Sequence, residues 1–114
     1  MGKILVGLTD KVKVKGKKVV STVAKFDTGA KRTSIDMKLA AKARLGPIID
    51  VTRVKTASLK GGYVKRPIVE AEIEVCGKKI KVKANIEDRV HSKEKVLIGR
   101  DIIKSNFIVD LDKV

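Results

Sequence analysis

The stretch of this chain best suited to chemistry is Phe26-Asp27-Thr28-Gly29-Ala30: a carboxylate, a small hydroxyl, then the most permissive backbone residue. Carboxylates hydrolyse peptide bonds in pairs around a water, one acting as base while the other donates a proton to the carbonyl. Behind Asp27 lies Lys18-Val19-Val20-Ser21-Thr22-Val23-Ala24, a run of strand composition, so Asp27 is expected where a strand breaks into a turn. Asp and Gly also dominate ordinary turns, and alone the triplet reads as one. A second stretch stands about seventy residues later: Val96-Leu97-Ile98, an apolar strand-like run, then Gly99-Arg100-Asp101, then Ile102-Ile103.

The ordered pair, Phe-Asp-Thr-Gly-Ala followed by Val-Leu-Ile-Gly-Arg-Asp, resembles the retropepsin-like aspartic proteases, the retroviral protease type. The resemblance runs from about Lys11 to Lys113. Within it, Asp27 to Ser34, Val64-Lys65-Arg66-Pro67 and Gly99-Arg100-Asp101 are most similar to the bacterial and archaeal branch labelled ATP-dependent zinc protease. The chain has one His (His91) and one Cys (Cys76), no His-Glu-x-x-His helix and no phosphate-binding glycine loop. The residues thus write neither a catalytic zinc site nor a nucleotide site, and no cofactor is expected.

The resemblance implies an all-β fold, a closed retropepsin-like β-barrel with one or two short helices, and roles for individual residues. Asp27 is the catalytic acid. Thr28 hydrogen-bonds across a dimer axis, Gly29 permits close approach of substrate, and Ala30 completes the loop. Lys60, Gly61, Gly62 and Tyr63 form the flap, the hairpin tip that closes over a bound peptide. By its residues alone, that tip reads as an ordinary hairpin end. Gly99, Arg100 and Asp101 are the structural brace beneath the loop. One position departs from the pattern: the residue after the motif's alanine is acidic in retroviral proteases and pairs with the arginine, whereas here it is Lys31. Asp36 or Asp101 is the expected substitute partner for Arg100, and Lys31 and Arg32 make the rim of the cleft basic.

Only one Asp-Thr-Gly is present, and Asp36, Asp50, Asp88, Asp101, Asp110 and Asp112 lack its surroundings. The enzyme reading therefore requires a homodimer with Asp27 facing Asp27 across a two-fold axis. In retropepsins the termini interleave between subunits, a role open to Lys3–Leu8 and Phe107–Leu111. The expected substrate is a peptide or protein, of acidic or extended polar character given the basic rim.

At 114 residues and 43% hydrophobic content the chain is expected to fold as a single domain with a modest core. No apolar run approaches the ~20 residues that span a bilayer. Its start lacks a signal-peptide pattern, and a single cysteine allows no internal disulfide, so a cytoplasmic location and no membrane contact are expected. The net charge of +14, from 27 Lys and Arg against 13 acids, would concentrate acidic ligands. This leaves a second function class open: a non-catalytic basic module for nucleic acid or an acidic protein partner. Nucleic acid lacks support from the aromatics, since Phe26, Tyr63 and Phe107 are the whole set.

The elements that must position these residues follow from periodicity. Lys11-Val12-Lys13-Val14-Lys15 alternates strictly, and Gly16-Lys17 suits a tight turn to the strand that delivers Asp27. Thr33-Ser34-Ile35 is expected to be extended, with Asp36 capping a helix over Met37–Arg44 that Gly46-Pro47 ends. Ile48–Lys55 reads as a strand. Glu70, Glu72 and Glu74 alternate with apolar residues, as do Lys79, Lys81 and Lys83, and a turn at Gly77-Lys78 would set Glu74 opposite Lys81 and Glu72 opposite Lys83. Cys76 beside that turn is expected to be a small apolar filler, and His91 a solvated loop residue. A short helix over Ile102–Ser105 and a last strand over Phe107–Leu111 complete the reading.

Overall fold

The computed structural model describes residues 2–55 and 62–113. Strand β1 (Ile4–Val6) is followed by the hairpin β2 (Thr9–Lys15) and β3 (Val19–Phe26), then β4 (Ser34–Asp36) and helix α1 (Met37–Lys42). Next come β5 (Ile48–Lys55), the long β6 (Tyr63–Val75), β7 (Lys78–Glu87), β8 (Val96–Ile98), helix α2 (Arg100–Ile103) and β9 (Phe107–Val109). The large sheet runs β2-β3-β8-β4-β7-β6-β5, and an added pairing of β2 with β6 joins Lys13–Lys15 to Glu72–Glu74. Six strands therefore close into a barrel, the all-β architecture expected, with β5 attached outside it to the first half of β6.

The alternation read from the sequence explains this closure. Val12 and Val14 point inward on β2, and Ala71, Ile73 and Val75 do so on β6, while lysines and glutamates face out. The interior they line is completed by Phe26, Ile35, Ile98 and Ile102, all essentially buried. Phe26 meets Phe107 edge to face, ring centroids 5.8 Å apart. The first hairpin turn needs its glycine: a Cβ on Gly16 would lie 2.4 Å from the carbonyl oxygen of Ala43, so α1's end can pack there only against a bare backbone.

Several boundaries differ from expectation. Helix α1 ends at Lys42, because Arg44 has a left-handed backbone (φ 52°) that breaks the helical path before Gly46. The second short helix starts earlier, at Arg100, immediately after Gly99. On the β6–β7 hairpin, Glu74 faces Lys79, Glu72 faces Lys81, and Ile73 faces Ile80, so the register is offset by two residues from the one expected. The two turn residues are Cys76 and Gly77, with φ of 50° and 80°, the positive pair that a tight hairpin demands. Cys76 is accordingly exposed at the tip and fills no core space. Finally, β1 and β9 pair with each other in parallel within the chain, Leu5 beside Ile108.

Candidate active site

β3 and β8 run parallel and in register, Phe26 beside Ile98, so the loops that follow them emerge side by side at one end of the barrel. The Asp27 N–H continues the ladder by donating to the Ile98 carbonyl, 2.8 Å away. The chain then turns: the Ala30 N–H donates back to the Asp27 carbonyl (3.1 Å), and the Gly29 N–H donates to Asp27 Oδ1 (2.9 Å). One carboxylate oxygen is thus fixed by its own loop. Asp27 is half-buried, with Thr28 and Gly29 exposed beside it.

The second loop grips the first. The Arg100 N–H donates to the Ala30 carbonyl at 2.8 Å. Gly99 lies so close that a Cβ there would sit 2.6 Å from the Arg32 carbonyl carbon and 3.0 Å from the Ala30 oxygen. No side chain fits between the loops. Beneath them Thr33, fully buried, accepts from the Gly99 N–H (3.2 Å) and donates its hydroxyl to Asp101 Oδ1 (2.8 Å), while its N–H donates to Asp101 Oδ2 (3.0 Å). Asp101 and Thr33 form a bidentate clasp that ties the two loops at their base.

The clasp corrects the expectation for Arg100. Neither Asp36 nor Asp101 is its partner: the guanidinium only approaches the Thr28 carbonyl, at 3.5 Å, and joins no ion pair among the described residues. Both acids are committed elsewhere. Asp101 holds Thr33, and Asp36 caps α1 by accepting from the N–H groups of Lys38 (3.1 Å) and Leu39 (3.4 Å) and from that of Arg89 (2.8 Å). Burial pushes the Asp36 carboxyl upward, but those three N–H groups, with Lys95 nearby, outweigh it and hold the carboxyl below its ordinary range. Sequence reasoning missed Thr33 as a brace; the available signal was a hydroxyl at the entry to a strand otherwise destined for the core.

Of the flap residues, Tyr63 begins the return strand, paired to Lys55 and exposed, with Gly62 just before it; Lys60 and Gly61 lie outside the described residues. Lys31 and Arg32 are exposed next to the loop, and His91 is exposed in the 88–95 connection. Among the described residues no group of three or more His, Cys, Asp or Glu could hold a metal ion, and no helix is long and apolar enough to cross a membrane. A concavity of about 520 Å³ on the outer face of β2–β3, lined by Lys11, Lys13, Val23 and Cys76 among others, includes no residue of the Asp27 loop.

No protein-family model and no curated protein matches the sequence. Solved structures do. A Legionella pneumophila protein of unknown function (DUF785) superposes with a TM-score of 0.66 at 23% identity, over 96% of this chain and 95% of that one. The EIAV protease, solved with the inhibitor HBY-793, gives 0.65 at 21% identity over 84% of each chain. The simian foamy virus protease gives 0.60 at 16% identity, over 82% of this chain and 88% of its own. The fold is retropepsin-like. Two of these three relatives are retroviral proteases by name, and one has no stated activity, so the likeness carries the fold and leaves the chemistry to the residues.

Proposed function

We propose that this protein is an aspartic endopeptidase that works as a homodimer, each subunit contributing Asp27 to a pair that shares one proton and activates a water for peptide-bond hydrolysis. The observation that carries the reading is the Asp27 loop itself. Its carboxylate, oriented by the Gly29 N–H, stands at the parallel ends of β3 and β8 on a loop locked by Gly99, Arg100 and the Thr33–Asp101 clasp. That loop presents one carboxyl group with its hydroxyl and glycine neighbours exposed, half of what the reaction needs. A two-fold axis beside Thr28 would supply the other half.

A two-fold contact sets each patch against its own copy, so an exposed apolar patch suits it best. The terminal pair offers one, with Leu5, Leu8, Ile108 and Leu111 all exposed. Lys113 is further tied to β1 through the Leu5 carbonyl, 3.0 Å from its Nζ. Substrate binds as an extended peptide across the Asp27 loop, where the exposed Lys31 and Arg32 favour acidic residues near the scissile bond.

The test is Asp27→Asn with its fold verified by circular dichroism. Cleavage of a peptide library in mildly acidic buffer should disappear in the variant and in wild type treated with a statine-type inhibitor; undiminished cleavage by the variant refutes the reading. The net charge of +14 favours the second reading, a basic binding module. Salt-steep binding to RNA or DNA that survives Asp27→Asn, without any peptidase activity in wild type, would establish it instead.

A further inference from the structure

The two long hairpins treat their exposed charges in opposite ways. Along β6–β7 each outward glutamate has a lysine directly opposite, Glu70 with Lys83, Glu72 with Lys81, and Glu74 with Lys79, and Lys15 of β2 joins Glu72 and Glu74 from the other side. On the half-buried face of β5–β6, Arg66 is matched by Glu87, which also holds Arg89. The outer face of β5–β6 breaks this habit. Arg53 and Lys65 are direct cross-strand partners, both exposed, and neither joins an ion pair among the described residues, although all 13 acidic side chains lie within them.

Like charges directly opposite one another weaken a strand pair. The chain keeps such a pair at Arg53 and Lys65 and adds Lys55 two residues further along the same face. Apolar groups flank the cations: Val51 (53% exposed) beside Pro67 at one end, and Tyr63 (60% exposed) beside Lys55 at the other. Among the described residues strand β5 pairs with β6 alone, so its outer edge offers unpaired backbone groups along an eight-residue strand. Cations, aliphatic surface and an open strand edge together suit an extended, acidic polypeptide that adds to the sheet and neutralises the cationic pair. A nucleic acid would use the charge but not the strand edge, and it would find Tyr63 alone to stack on.

We infer that the outer face of β5–β6, centred on Arg53 and Lys65, docks an acidic extended segment of the protein substrate. The inference rests on the reading above that the substrate is a polypeptide, and it places a second recognition surface on the hairpin that carries the flap position.

The experiment uses the full-length chain carrying Asp27→Asn, so that binding is read without turnover, and a labelled peptide alternating Glu and Val at low salt. Adding Lys65→Glu should weaken binding by about tenfold or more. Lys17→Glu, the same change of net charge on the exposed β2–β3 turn, should weaken it by less than about twofold. Lys65→Glu also creates an opposite-charge pair with Arg53, so its melting temperature should equal or exceed that of the parent, which excludes loss of binding through misfolding. Equal weakening by the two variants overturns the inference, as does Lys65-dependent binding of single-stranded RNA that exceeds that of the peptide. Cleavage by wild type without Lys65-dependent binding sinks the docking surface alone; Lys65-dependent binding without cleavage sinks the protease reading alone.

Discussion

Thr33→Val tests whether the clasp beneath the two loops is what holds them. The substitution keeps shape and removes one hydroxyl, which donates to Asp101 Oδ1 at 2.8 Å and accepts from the Gly99 N–H at 3.2 Å. Losing the bond to a partly exposed carboxylate costs about 1.5 kcal/mol, and leaving the buried Gly99 N–H without a partner costs about the same again. The added methyl in a fully buried position returns about 0.8 kcal/mol, so the net loss is about 2 kcal/mol. With unfolding entropy near 2.1 cal/mol/K per residue over 114 residues, that loss lowers the melting temperature by about 8 °C. Thr33→Ser keeps the hydroxyl and should cost about half as much. Calorimetry on Thr33→Val, Asp101→Ala and the double variant should show the two changes costing at least about 1 kcal/mol less together than their separate losses added. A melting temperature within about 2 °C of the parent, or strict additivity with Asp101→Ala, would refute the clasp.

Three other outcomes follow from the same geometry. Leu5→Asp or Ile108→Asp, at exposed and directly paired positions of β1 and β9, should leave the subunit folded but shift light-scattering mass from dimer to monomer and remove peptidase activity with it. Asp36 has its carboxyl held below the ordinary range, so the unfolded chain binds that proton more readily. Its contribution is full above about pH 4 to 5 and is lost as pH falls through the depressed folded value, and Asp36→Asn should flatten acid unfolding curves in that window. Cys76 occupies the first left-handed position of a two-residue turn before Gly77, and Cys76→Asn should raise thermal stability by about 0.5 kcal/mol, measured by denaturant titration.

Much of this protein is legible in local chemistry alone. The alternation of Val12 and Val14 with lysines sets which face of β2 is buried, and the Asp36 side chain marks where α1 begins. The carboxylate of Asp27 at a strand end and the glycine of Gly99 in a second loop are likewise readable, because each depends on a residue type and its immediate neighbours. The β6–β7 register is not. A slip of two residues keeps every side chain on the same face and still sets two of the three glutamates against lysines, so charge matching separates the registers by one pair only, and the positive φ values of Cys76 and Gly77 decide between them.

What the sequence determined by itself, then, was an all-β chain with one candidate acid on a strand-ending loop, since strand period and turn chemistry act over a few residues. Tertiary structure decided the long-range choices. It committed Asp101 to Thr33 and Asp36 to α1 and Arg89, leaving Arg100 without either, and it paired β1 with β9 inside one chain. Such choices depend on which of several chemically equivalent acids or edges lies within bonding distance after the barrel closes, and no local pattern encodes that distance.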